Sequence, residues 1–223
     1  MDHNPTFSPD ARQVLTARLV DGVDALGLAL TARQIEQLID YLALLTRWNR
    51  AYNLTAVRDP QDMVVRHLLD ALAVCPYIRP AGRMADVGSG PGIPGLMLAI
   101  VYPALELTLI DSNLKMTRFA RQAVRQLQLS NVVVERTRVE EGDFAPFEQI
   151  ISRAFASIGD YLDLTGQLLA DDGRIWAMKG QWRESEAKTL PAGFEIVQNR
   201  ALFVPGLDAQ RHLIEIKLNR GQR

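Results

Sequence analysis

The chain has 223 residues with 25 basic and 26 acidic side chains, a formal net charge of −1, which is length for one domain or a domain plus a small extension. With 48% hydrophobic and 23% charged residues it can bury a sizeable core, which excludes wholesale disorder and a fibrous repeat. Cys75 is the only cysteine, so neither a disulfide framework nor a multi-cysteine zinc site is available, and no metal is expected.

The first third reads as helices. Ser8-Pro9-Asp10 supplies a cap and an N1 proline, and Val14, Leu15, Leu19, Val23 and Leu26 follow at roughly helical spacing. A second helix starts at Thr31, with Ile35, Leu38, Ile39, Leu42 and Leu45 on one face and Arg33, Glu36, Asp40 and Arg47 outside. Asp59-Pro60 opens a third, in which Met63, Val64, His67, Leu68, Ala71 and Leu72 recur until Pro76 stops the run.

After Gly82 short β-like runs alternate with helices. Strands are expected at 83–87, 105–110, 132–134, 149–152 and 174–178. A glycine loop and a helix to about Val101 follow the first, an arginine-rich helix over 113–129 follows the second, and the helix after the fourth ends near Asp171-Asp172-Gly173. Runs at 194–204 and 212–218, joined through Pro205-Gly206-Leu207-Asp208, make a final hairpin. The alternation implies an α/β fold, a parallel sheet covered on both faces, with the hairpin as antiparallel edge. Residues 1–80 then form an N-terminal helical extension and 81–223 the sheet domain.

Targeting signals are not expected. The opening Met1-Asp2-His3-Asn4-Pro5 lacks the basic flank and apolar run of a secretory leader, which fits a cytoplasmic protein. Residues 87–105 are 19 uncharged positions in a row, but four glycines and three prolines interrupt them, so a loop and a buried helix are expected there rather than a membrane span. Of the basic residues 21 are Arg and 4 are Lys, a balance that suits phosphate or guanine contacts and equally a GC-rich genome.

The most informative segment is Asp86-Val87-Gly88-Ser89-Gly90-Pro91-Gly92-Ile93-Pro94-Gly95, which follows a predicted strand and opens a predicted helix. Asp111 ends the next strand, 21 residues beyond Gly90, where a carboxylate can accept from both ribose hydroxyls of an adenosine. Pro91 and Pro94 remove two N–H donors from the region where a pyrophosphate would rest, so S-adenosylmethionine fits better than a dinucleotide. Asp86 is placed to support its amino-acid tail, and Val139-Glu140-Glu141, after the third strand, to read the edge of adenine.

From here the sequence resembles the RsmG (GidB) methyltransferases of bacterial small-subunit ribosomal RNA over nearly its whole length. The resemblance runs through Trp48-Asn49-Arg50-Ala51-Tyr52-Asn53-Leu54-Thr55, Arg66-His67-Leu68-Leu69-Asp70, the loop from Asp86 to Gly95, and Asp111-Ser112-Asn113. It continues in Arg138-Val139-Glu140-Glu141, Ile151-Ser152-Arg153-Ala154-Phe155-Ala156, Lys179-Gly180-Gln181 and Arg211-His212-Leu213. It implies a Rossmann-like class I methyltransferase sheet and methyl transfer from S-adenosylmethionine to guanine N7 at position 527 of 16S rRNA, with rRNA or the small ribosomal subunit as partner; a monomer is expected, although the sequence does not fix the oligomeric state. It also implies cofactor contacts at Gly88, Ile93, Val139, Glu140 and Arg153, with Asp111 on the ribose and Gly90 in the loop. Met116 departs from the family, which commonly carries a basic residue there.

Guanine N7 has a lone pair and no proton, so no general base is required. Arg153 and Lys179 are expected to position the substrate by contacting O6 or phosphates. His67 is expected to be a packed core or interface residue. Arg118, Arg121 and Arg125 share one helix face as a phosphate stripe or a solvated face; Trp48, Tyr52 and Asn53 either stack on a flipped base or pack against the sheet. Two other functions stay open at this point: methylation of a small molecule or protein, and a non-catalytic adenosine-sensing, ribosome-binding module.

Overall fold

A computed structural model describes residues 7–155, 157–188 and 190–219; the opening Met1-Asp2-His3-Asn4-Pro5 and Ala156 lie outside these. Helix α1 (Pro9–Ala25) begins where Ser8 Oγ accepts the Ala11 N–H at 3.2 Å. Helix α2 (Ala32–Tyr52) opens with a capping box, in which Gln34 donates its N–H to Thr31 Oγ1 and Gln34 Oε1 accepts the Thr31 N–H at 2.9 Å. The third helical run starts on the Asp59 cap as α3 (Pro60–Met63), widens to π-helical winding over Val64–Leu69, and continues as α4 (Asp70–Leu72). Apolar spacing over so short a stretch does not separate the two windings; π segments gather at functional sites, and this one carries Arg66 and His67.

The strands are β1 (Gly82–Val87), β2 (Leu105–Ile110), β3 (Val132–Glu135), β4 (Phe147–Ser152), β5 (Leu169–Lys179), β6 (Phe194–Ala201) and β7 (His212–Leu218). They form one sheet in the order β3-β2-β1-β4-β5-β7-β6. Neighbours among the first five pair in parallel, while β7 runs antiparallel to both β5 and β6. Crossovers carry α5 (Gly95–Val101), α6 (Leu114–Leu127), α7 (Ile158–Thr165) and α8 (Glu184–Ala187). This is the expected parallel sheet with an antiparallel hairpin at its edge.

Period-2 alternation divides the sheet between two cores. Met84, Ile151, Trp176 and Met178 face the larger one, built from α1 to α6, whereas Ala85, Ile150, Ile175 and Ala177 face a smaller one under Ile158, Tyr161 and Leu162 of α7. The larger cluster runs without a break from Leu15 to Leu213, so the N-terminal helices and the sheet share one buried interior across residue 80.

Three boundaries differ from expectation. The helix after β4 ends at Thr165 and passes through a tight turn at Gly166–Leu168, so Asp171, Asp172 and Gly173 lie within β5. Buried Leu169 pairs with Phe147 across a register shift and pulls the chain into the sheet early. Strand β6 stops at Ala201: one further bond, from the Leu202 N–H to the Arg211 carbonyl at 2.7 Å, ends the pairing with β7, and Val204 then buries itself in the larger core. Helix α6 is shorter at both ends: Asn113 is its cap, accepting the Lys115 N–H at 2.9 Å, and Gln128 turns left-handed at φ 57°. Residues 87–105 form the end of β1, a loop, the seven-residue α5 and the start of β2, and no helix among the described residues is long and apolar enough to cross a membrane.

Candidate active site

The turn after β1 is shaped by glycines at positive φ: Gly88 at 68°, Gly90 at 55° and Gly92 at 87°. Gly88 and Ser89 both donate N–H groups to the Ile110 carbonyl, at 2.9 and 3.2 Å, which draws the turn over the end of β2. Gly90 donates to Asp111 Oδ2 at 2.8 Å, and Asn113 donates to Asp111 Oδ1 at 2.7 Å. Asp111 is thus held by two main-chain donors while staying partly exposed, and an ionised carboxylate has acceptor capacity beyond two bonds. From α2, buried Tyr41 donates its hydroxyl to the Pro91 carbonyl at 2.9 Å and steadies the turn from behind.

Asp86 lies fully buried beneath this turn. Its Oδ2 accepts the Gly95 N–H at 2.8 Å, and its Oδ1 has no partner among the described residues. Burial pushes its carboxyl up to about 7, against the opposing pull of the Gly95 N–H and the Arg153 guanidinium. A buried acceptor without a donor fits a ligand that brings one, such as the ammonium of an amino-acid tail. Gly90 adds a second sign of fit: a Cβ built there meets nothing within 4 Å, so the space above the turn is open.

The other expected cofactor residues are distributed unevenly. Ile93 packs in the larger core and donates its N–H to the Ser89 carbonyl at 3.0 Å, so its side chain supports the turn from inside. Val139 is buried in the smaller core, while Glu140 is exposed beside Arg138 on the short turn Val139–Glu141. At the crevice between β1 and β4, where the strand order reverses, Ser152 Oγ donates to the Val87 carbonyl at 2.7 Å.

A cavity of about 330 Å³ lies beyond the C-terminal ends of β4 and β5. Arg66, His67 and Asp70 line it from the helical layer, and Arg153, Lys179 and Arg211 from the sheet. Arg153 donates through Nη1 to the Arg66 carbonyl and to Asp70 Oδ2, both at 3.1 Å, and Arg211 Nε donates to Asp70 Oδ1 at 2.7 Å. Lys179 pairs with Glu186 of α8. His67 is buried, with Nε2 against Thr55 Oγ1 at 2.9 Å, and desolvation followed by the Arg153 charge lowers its pKa to about 4. The sequence implied a satisfied core or interface histidine; the ring is packed as expected, but only Nε2 is bonded, and buried Nδ1 has no partner among the described residues.

The structure brings Arg153 and Lys179 to one cavity and adds Arg66, Asp70 and Arg211, for which sequence reasoning had assigned no role. The only available signal was their membership of short family segments. Arg121 donates through Nε and Nη2 to the Val134 carbonyl, at 3.3 and 2.9 Å, and stays exposed with its remaining donors outward of the sheet edge. Trp48 packs edge-on to Phe119 of α6 with centroids 5.7 Å apart, whereas Tyr52 is exposed. Met116 lies against the larger core. Among the described residues no group of three or more His, Cys, Asp or Glu side chains is placed to hold a metal ion.

Comparison with known proteins places this geometry in context. The family model GidB, rRNA small subunit methyltransferase G, matches residues 34–214. The chain is 47% identical over 212 residues to ribosomal RNA small subunit methyltransferase G of Burkholderia ambifaria, covering 92% of this chain and 93% of that one. It is 49% identical over 201 residues to the protein of the same name from Chromohalobacter salexigens, covering 90% and 96%. Among solved structures, TrmN from Thermus thermophilus superposes with a TM-score of 0.56 at 17% identity, covering 94% of this chain and 79% of that one, a likeness of fold alone.

Proposed function

Because the chain belongs to the GidB family of rRNA small subunit methyltransferases, we propose that it transfers a methyl group from S-adenosylmethionine to N7 of a guanine in small-subunit ribosomal RNA, at position 527 of 16S rRNA. The observation that carries this reading is the pairing of the Asp111-braced glycine turn with a cation-lined cavity one step along the same sheet edge. In sheets of this kind ligands bind beyond the carboxyl ends of the strands, where the order reverses. The first feature suits the cofactor, the second a nucleotide.

When bound, the cofactor supplies an electrophilic methyl group on a sulfonium. The protein's part is orientation, which can contribute about 7–11 kcal/mol in favourable cases. Asp111 would hold the ribose hydroxyls, Asp86 Oδ1, which lacks a partner among the described residues, would take the tail ammonium, and the Val139–Glu141 turn would read adenine. No residue has to remove a proton from N7, and His67, neutral and bonded to Thr55, is not asked to. Arg153 and Lys179 hold the RNA without facing N7, since a cation there would oppose the positive charge that develops on the base. The protein acts in the cytoplasm as a monomer on rRNA or the small subunit. The helices of residues 1–80 serve as the extension that, with the sheet domain of 81–223, encloses the cavity.

Incubation with labelled S-adenosylmethionine and small subunits from a strain lacking the modification is the test. Label at guanine N7 is expected; label elsewhere or none refutes the reading.

A further inference from the structure

Among the described residues that line the cavity, Asp70 is the one carboxylate, facing Arg66, Arg153, Lys179 and Arg211. Its side chain is 3% exposed, and each oxygen is taken by a different guanidinium: Oδ2 by Arg153 Nη1 at 3.1 Å and Oδ1 by Arg211 Nε at 2.7 Å. The partners are 83 and 141 residues away, one following β4 and the other preceding β7. Desolvation largely offsets the attraction in a buried ion cluster, so such a carboxylate is a weak source of stability. What it does provide is orientation. A guanidinium carries five N–H donors. On each arginine two are engaged by the protein, those of Arg153 on Asp70 and the Arg66 carbonyl and those of Arg211 on Asp70 and the Gln210 carbonyl, leaving three for a ligand.

We propose that Asp70 is a positioning residue that sets Arg153 and Arg211 to receive one RNA phosphate beside the target guanine, which rests on the activity proposed above. The ligand class follows from the chemistry. The commonest arginine contact with guanine engages O6 and N7 together, and N7 has to stay open to accept the methyl group. The forks are then matched to phosphate oxygens, which two parallel N–H groups fit bidentately. Asp70 fixes the direction of both forks and keeps the arginines, which repel each other, at one cavity.

The test measures RNA affinity against salt, using small subunits from a strain lacking the modification, for the wild type, Asp70→Asn, Arg211→Ala and the double variant. Losing one phosphate contact weakens RNA binding and lowers the slope of log affinity against log salt by about 1. Both single variants are expected to show that lower slope with an RNA KM raised about tenfold, as for a lost charged hydrogen bond. The double variant is expected to lose less than the sum of the two single losses, because Asp70→Asn already misplaces Arg211 and only the Arg153 orientation remains to be lost once Arg211 is gone. A wild-type slope in Asp70→Asn, or losses that add in the double variant, overturns the proposal. Should Asp70→Asn not fold, Arg211→Lys decides: it keeps the charge but not the fork, so its RNA affinity has to fall, and wild-type affinity overturns the proposal. Wild-type protein that leaves guanine N7 unlabelled removes the underlying activity and this inference with it, whereas labelled product with unchanged slopes removes only the role of Asp70.

Discussion

Gly90 and Asp111 meet across 21 residues, the main-chain N–H of one donating to Oδ2 of the other at 2.8 Å. The contact joins the turn after β1 to the end of β2, and the Asn113 N–H holds the second carboxylate oxygen at 2.7 Å. Asp111 is therefore oriented before any ligand arrives. Replacing it with alanine removes charged hydrogen bonds of about 1.5–3 kcal/mol each. Cofactor affinity measured by calorimetry should fall at least about tenfold, with the circular dichroism spectrum unchanged.

Gly90→Ala and Gly95→Ala should separate binding from folding. At Gly90 an added Cβ meets nothing within 4 Å, so the stability cost is only the left-handed backbone, about 1–2 kcal/mol, while the methyl group intrudes where the ligand lies. At Gly95 a Cβ falls 2.3 Å from Leu109 Cδ2 and 2.8 Å from Asp86 Oδ2. That variant should lose about 1–3 kcal/mol in denaturant unfolding through overpacking. A loss of cofactor affinity confined to Gly95→Ala, with Gly90→Ala binding like the wild type, would contradict the geometry.

Asp86 and His67 should give opposite pH slopes in the ligand-free protein. Asp86 titrates near 7 folded against 3.8 as its ordinary value, so the folded state holds the extra proton between them and stability falls as pH rises through that window. His67 titrates near 4 folded against 6.5, so there the unfolded state holds the extra proton and stability rises with pH. Thermal melts between these limits should show the wild type nearly flat with respect to the pair. Asp86→Asn should expose a rise with pH, and His67→Gln a fall.

The same carboxyl links pH to the cofactor. An ammonium placed at Asp86 Oδ1 favours the ionised acid, so affinity for S-adenosylmethionine should increase as pH rises through about 7. Asp86→Asn should bind weakly without that rise in calorimetry. A pH dependence that survives the substitution would assign it to another group.

Trp48 and Tyr52 should divide by role. Trp48 is half-buried, so Trp48→Ala, which strips its ring from Phe119, should cost about 1–3 kcal/mol, whereas exposed Tyr52→Ala, which loses only a tilted contact with Trp48, should cost much less in thermal melts. Any effect of the tyrosine would then appear in RNA affinity.

Most of the sheet was legible in the sequence because period-2 alternation, glycine turns and helix caps are local signals. The errors fell where tertiary packing competes with a local stop signal. Asp171-Asp172-Gly173 reads as a turn, but Leu169 finds a partner in Phe147 and the chain extends through the acidic pair into β5.

The amino-acid order by itself determined the glycine turn, its acidic partner and the strand-helix alternation, since each depends on residues within about one β-α-β unit of each other. Only the tertiary structure decided that Asp70 would stand between Arg153 and Arg211 and that Lys179 would pair with Glu186 at the same cavity. Hydrophobic periodicity says which face of α4 or β7 turns inward, but the polar groups that meet across the helical layer and the sheet are chosen by how those layers pack.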